Sequence, residues 1–211
     1  MNIAILLYER VTALDAIGPY EVLSRLPGAS LTFVAAEPGP VRTDNGMLTL
    51  IAERSIDDVG DPDIVLVPGG PGEVAARAGG GALEWLRVVH ATTTWTTSVC
   101  TGSLILAAAG LLEGRHATSH WLALEELGRM GAVPVSERVV FDGKIVTAAG
   151  VSAGIDMALA LAARVAGDDV AQAIQLGIEY DPQPPFDSGA PQKAPAAIVQ
   201  LLREHSRFVM A

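Results

Sequence analysis

Four short apolar runs rich in β-branched residues, Asn2 to Leu7, Leu31 to Ala36, Asp63 to Val67 and Thr94 to Val99, recur through the first half of the chain, bounded by Gly or Pro. Between them lie helical patterns, roughly Leu14 to Leu26, Gly72 to Arg77, Ala82 to Ala91 and Thr101 to Ala109. Strands without polar alternation must be covered on both faces, and parallel neighbours need a long crossover, which a helix supplies. The alternation therefore specifies βαβ units: an α/β fold with a doubly wound, mostly parallel sheet sandwiched by helices.

After Gly110 the pattern changes. A helix is predicted near Trp121 to Met130, followed by strands at Val133 to Val135, Arg138 to Phe141 and Lys144 to Thr147, with Asp142-Gly143 as a hairpin signal and hence a small antiparallel edge. Three helices are predicted to finish the chain, about Ala153 to Ala166, Asp169 to Gly177 and Pro195 to Phe208. The loop from Asp181 to Pro191 is rich in proline and carries Phe186, so it is expected to pack on the domain or on a partner subunit. The last helix is expected to pack in the core, with an apolar face that could instead meet a second subunit.

Length and composition narrow the function classes. The 211 residues, half of them apolar, suit a single domain over residues 1–211 with a full core. No apolar run approaches the roughly 20 residues that span a bilayer, so no membrane association is expected. A single cysteine cannot form an internal disulfide, and a reducing, cytoplasmic setting follows. The net charge of −10, with lysine and arginine scattered, argues against nucleic acid as a partner. His90, His116, His120 and His205 lie far apart without a second ligand at helical spacing, so no metal is expected.

The segment Trp95-Thr-Thr-Ser-Val-Cys100-Thr-Gly-Ser-Leu104 runs from a predicted strand directly into a predicted helix, with small residues, Ser98 and Gly102, on either side of the cysteine. This is a nucleophile-elbow pattern: the central residue takes a strained conformation at the strand's carboxyl end, and small flanking residues let the chain turn tightly. The elbow would expose the side chain over the sheet edge, and the helix N-terminus behind it would favour the thiolate. A lone cysteine is otherwise most often a small buried hydrophobe, but the carboxyl end of a central strand is where open α/β sheets bind ligands. Pro68-Gly69-Gly70-Pro71-Gly72 follows another strand, yet it lacks GxGxxG spacing and a Lys-Ser/Thr pair, so it is a tight turn and not a phosphate loop. Asp15, just before Gly18-Pro19, reads locally as a turn or capping acceptor.

Three pieces taken in order give a more specific reading: Asn2-Ile-Ala-Ile-Leu-Leu7 with Leu14-Asp-Ala-Ile-Gly-Pro19, then Asp63-Ile-Val-Leu-Val-Pro-Gly-Gly-Pro-Gly72, then Ser98-Val-Cys-Thr-Gly-Ser103. Together they resemble the ThiJ/PfpI superfamily, of flavodoxin-like, class I glutamine amidotransferase-like fold, over nearly the whole chain. Ala117-Thr-Ser-His-Trp121 and Tyr180-Asp-Pro-Gln-Pro-Pro-Phe-Asp-Ser-Gly189 are similar to the branch that hydrates isocyanides (isonitriles) to N-substituted formamides. Thr101 stands where protease- and deglycase-like relatives carry histidine, which removes an adjacent Cys-His pair, and Asp15 stands where many relatives carry glutamate. Related regulators continue into a DNA-binding domain, whereas this sequence ends at Ala211 after one predicted helix.

The resemblance implies a nucleophilic Cys100 with the Asp15 carboxyl beside the sulfur, the two sharing a proton. It also implies a donor pair from the Gly70 and Thr101 N–H groups, a Thr101 hydroxyl offered to water or substrate, and a homodimer that uses no cofactor. His120 and Trp121 are assigned to the pocket lining, and Asp181 is left as a turn residue. Three other readings remain beside hydration: a thiol-redox sensor, a non-catalytic binding module, and a glyoxalase- or deglycase-like enzyme acting on dicarbonyls.

Overall fold

The computed structural model describes residues 1–79 and 81–205. In chain order the elements are β1 (Asn2–Leu6), α1 (Ala13–Leu23), β2 (Ser30–Ala35), β3 (Gly39–Arg42), β4 (Thr49–Ala52), β5 (Arg54–Ser55) and β6 (Ile64–Val67). There follow α2 (Glu73–Ala78), α3 (Gly81–Thr92), β7 (Trp95–Val99), α4 (Gly102–Ala108), β8 (His116–Ala117), α5 (Leu124–Arg129) and β9 (Val133–Pro134). The last are β10 (Val139–Asp142), β11 (Ile145–Ala148), α6 (Ala153–Ala166), α7 (Asp168–Gly177) and α8 (Ala196–His205).

The main sheet has seven strands in the order β10-β11-β7-β6-β1-β2-β5. Every pairing in it is parallel except β10 with β11, so the expected doubly wound sheet and its antiparallel edge are both present. The central strands β1 and β6 are mostly apolar because each face is covered, while β7 buries Thr96, Thr97 and Ser98. Ile3, Ile5 and Leu7 of the first strand segment join a core with α1, α6 and α7, while the intervening Ala4 and Leu6 join one with α3, α4 and α5. From β1 the chain crosses to β2 on one side and later returns to place β6 on the other. Reversals of this kind open a crevice at the strands' carboxyl ends, where ligands bind in open α/β sheets.

Four sequence expectations are corrected. The hairpin closes around Gly143 and Lys144, because Asp142 already pairs with Ile145, and Gly143 takes the left-handed conformation with φ +62°. Lys144 to Thr147 is expected only at an antiparallel edge, yet β11 also lies parallel beside β7, which brings its carboxyl end to the crevice. Phe186 is 77% exposed, so among the described residues the proline-rich loop does not bury it against the domain, one of the two packings expected. The final helix has no buried residue among those described, with Ile198, Leu201 and Leu202 all about half exposed, so it is not core; its predicted extension to Phe208 falls outside the described residues. Two features went unread: the antiparallel β3–β4 hairpin, and a two-stranded sheet pairing β8 with β9.

Candidate active site

Cys100 is the first residue past β7 and adopts φ +58°, in the left-handed region that a non-glycine residue enters at a cost of about 1–3 kcal/mol. The surroundings hold it there. Its N–H donates to the carbonyl of Ala149 (2.9 Å), and its carbonyl accepts from the hydroxyls of Ser119 (3.0 Å) and Ser103 (3.2 Å). Gly102 explains the small flanking residue, since a Cβ there would lie 2.0 Å from the carbonyl oxygen of Val67. The elbow is therefore real, but its side chain is not exposed: Cys100 is fully buried. The expected preference for the thiolate meets opposing influences. Burial first, and then the Asp15 charge, push the thiol well above its ordinary range, against the N–H groups of Val151 and Thr101 that donate to the sulfur.

Asp15 lies in the first turn of α1 and is fully buried. It is not a cap, because the helix begins at Ala13 with Thr12 as its flanking residue, and Pro19 falls inside the helix. One carboxyl oxygen, Oδ2, accepts from the N–H of Gly69 (2.9 Å), and the carboxyl also takes a hydrogen bond from the Cys100 thiol. The two groups predicted to share a proton are thus in direct contact.

The Gly70 and Thr101 pair is arranged otherwise than expected. The Gly70 N–H donates to Oγ1 of Thr101 (2.9 Å), so it is engaged by a side chain and not held open for a substituent on a reacting carbon. The N–H groups converging on the sulfur are those of Thr101 and Val151. Val151, with φ +20°, follows β11, and expecting that strand only at an antiparallel edge hid it. Gly69 and Tyr8 were also missed. Gly69 has no room for a side chain, since a Cβ would sit 2.5 Å from the Thr101 nitrogen, while Tyr8 donates its hydroxyl to the Pro68 carbonyl (2.8 Å). Glycines in a turn after a central strand were the available signal for Gly69; an aromatic at the end of β1 gave none for Tyr8.

His120 and Trp121 do line a pocket. Their rings lie 5.9 Å apart beside a cavity of about 370 Å³ that Gly150, Val151, Ala190 and Pro191 also border. Nδ1 of His120 accepts from the Leu122 N–H (3.3 Å). Among the described residues no group of three or more His, Cys, Asp or Glu side chains is placed to hold a metal ion. No helix of the described residues is long and apolar enough to cross a membrane.

A parallel sheet with a left-handed cysteine after its central strand, a carboxyl on the first helix against the thiol, and a glycine turn between them define the class. The chain belongs to the DJ-1/PfpI family, whose model matches residues 1–164. Within it, the chain is 43% identical over 206 residues to the isonitrile hydratase of Pseudomonas putida, covering 98% of this chain and 90% of that enzyme. A crystal structure of a ThiJ/PfpI family protein from Pseudomonas syringae superposes with a TM-score of 0.92 at 38% identity, covering 99% of this chain and 89% of the other. The HTH-type transcriptional regulator CdhR of Pseudomonas aeruginosa is 30% identical over 161 residues, covering 74% of this chain and 47% of the regulator.

Proposed function

We propose that this protein hydrates isocyanides to N-substituted formamides, with Cys100 as nucleophile and Asp15 as general acid and base. The observation that carries the reading is the buried hydrogen bond between the Cys100 thiol and the Asp15 carboxyl, in a chain 43% identical to an isonitrile hydratase. The terminal carbon of an isocyanide must gain both a nucleophile and a proton. The thiol and carboxylate hold one proton between them, which passes to Asp15 as sulfur attacks and then to carbon, giving the thioimidate R–N=CH–S–Cys100. Water adds to that carbon while the Asp15 carboxylate removes a proton. That proton passes from Asp15 to the imine nitrogen, giving R–NH–CH(OH)–S–Cys100; the adduct then expels sulfur as its hydroxyl proton passes through Asp15 to the thiolate, and R–NH–CHO is released. The raised thiol pKa suits this sequence, because the proton that carbon needs is stored at the site.

In this reading the N-substituent occupies the cavity beside His120, Trp121 and Val151, and the N–H groups of Thr101 and Val151 steady the sulfur as it leaves. A homodimer is part of the proposal, supported by the exposed apolar face of α8, and sedimentation equilibrium tests it. The deciding experiment follows formamide release from a chromophoric aryl isocyanide. Cys100→Ala abolishes turnover and Asp15→Asn reduces it by at least about 100-fold; full activity in either variant overturns the scheme. Likeness to a regulator supports a binding module as the second reading, in which ligand binds without turnover and tolerates Cys100→Ser. The single cysteine leaves no resolving partner in the sequence, which weighs against a disulfide-cycling redox sensor. Methylglyoxal turnover, assayed alongside, separates a glyoxalase or deglycase.

A further inference from the structure

The Tyr8 hydroxyl donates to the Pro68 carbonyl at 2.8 Å, and the Gly69 N–H donates to Oδ2 of Asp15 at 2.9 Å. These are the two ends of one peptide group. A donor pulling on the oxygen of an amide withdraws electron density from its nitrogen and strengthens the N–H as a donor, so hydrogen bonds in series polarise one another, most of all away from water. The chain runs from phenol through a single peptide to the carboxylate, and from the carboxylate to the Cys100 thiol.

We infer that Tyr8 is a positioning residue that sets how the shared proton divides between Asp15 and Cys100, acting through the Pro68–Gly69 peptide. The inference rests on the proposed Asp15–Cys100 pair, though not on the identity of the substrate. Tyr8 remains a donor across the working range, because burial and the charges of Asp15, Cys100 and Glu73 all hold its phenol protonated. With Tyr8 present, the carboxylate form of Asp15 is favoured and the proton rests mainly on sulfur. Without its hydroxyl, the Gly69 N–H is a weaker donor, the Asp15 carboxyl is less acidic, and the thiolate with a protonated Asp15 gains population.

The charged and titratable groups around the pair are Tyr8 from the end of β1, Glu73 from α2, Asp44 holding the Thr12 hydroxyl (2.8 Å), and His120 packed on Gly150. All but Tyr8 are common to the wild type and a Tyr8→Phe variant, so a difference between the two isolates the hydroxyl.

Cys100 is the chain's only cysteine, so alkylation by iodoacetamide, followed by intact mass across pH, reports this thiol alone without any isocyanide. Removing a donor that strengthens the next bond by roughly 10–30% should change the proton balance about two- to fourfold. Tyr8→Phe is therefore expected to raise the neutral-pH alkylation rate by about that factor and to move the acidic limb of the profile upward by about half a unit. 3-Fluorotyrosine placed at position 8, a stronger donor of nearly the same shape, is expected to move both in the opposite sense, and it serves if Tyr8→Phe does not fold. An unchanged profile in a folded variant, or shifts of the same sign in both, overturns the inference. A folded Tyr8→Phe with the expected shift but an inactive wild type on isocyanides leaves the relay standing and removes the proposed reaction.

Discussion

Thr101 shows how a polar side chain can be structural beside reacting atoms. Its hydroxyl accepts the buried Gly70 N–H, and leaving such a group unsatisfied costs about 1–3 kcal/mol. Thr101→Val should lower stability by about that amount while Thr101→Ser nearly restores it, as read by denaturant midpoints. Gly102 is stricter. A methyl group 2.0 Å from the Val67 carbonyl forces the elbow away from β6, so Gly102→Ala should cost at least about 3 kcal/mol, or prevent folding, by thermal melting. At this scale the sequence was informative about identity and less so about state. The spacing around Cys100 located a strained elbow, but not its burial. That depends on Val151, whose backbone N–H meets the sulfur, and on Ala149 and Ser119, which hold the Cys100 backbone from elsewhere in the chain.

Among the elements, α2 and α5 are joined by charge. Arg77 reaches Glu73 at 3.0 Å on its own helix and Glu126 at 3.1 Å on the other, and burial lifts the Glu73 carboxyl from 4.5 to about 7. A folded pKa above the unfolded one means that the group stabilises the fold fully below about pH 4.5 and loses that contribution as pH rises to about 7. Glu73→Gln should therefore flatten the stability profile between those values and gain on the order of 1–3 kcal/mol at neutral pH, by urea titration at several pH values. Helix boundaries were legible to within a few residues because each core-facing stripe repeats on a helical period. The β3–β4 hairpin was not, because Gly39, Pro40 and the exposed Met47, Leu48 and Ile51 break any regular alternation of apolar and polar residues. The last helix was misplaced for a related reason: its apolar spacing matches that of a core helix, and no sequence pattern says whether a second surface lies against it.

For the molecule as a whole, stability resides in the two cores on either side of the sheet. Leu66, fully buried in β6, should cost about 2–5 kcal/mol when changed to Ala, whereas Val133→Ala on the satellite sheet, where the side chain is 42% exposed, should cost well under 1, by equilibrium unfolding. The sheet and its alternation with helices could be read from the sequence because a buried parallel strand has few compositional options; its order, with β11 inserted between β7 and β10, could not. That insertion has a bearing on how the protein is made. Asp15, Gly69 and Cys100 all leave the ribosome before β11 and Val151, so a growing chain carries every group of the acid–base pair for some time without the strand that completes the wall around the sulfur. The reactive centre is thus finished late in synthesis, and a chain cut short before residue 151 would contain the nucleophile but not the enclosure that keeps it dry.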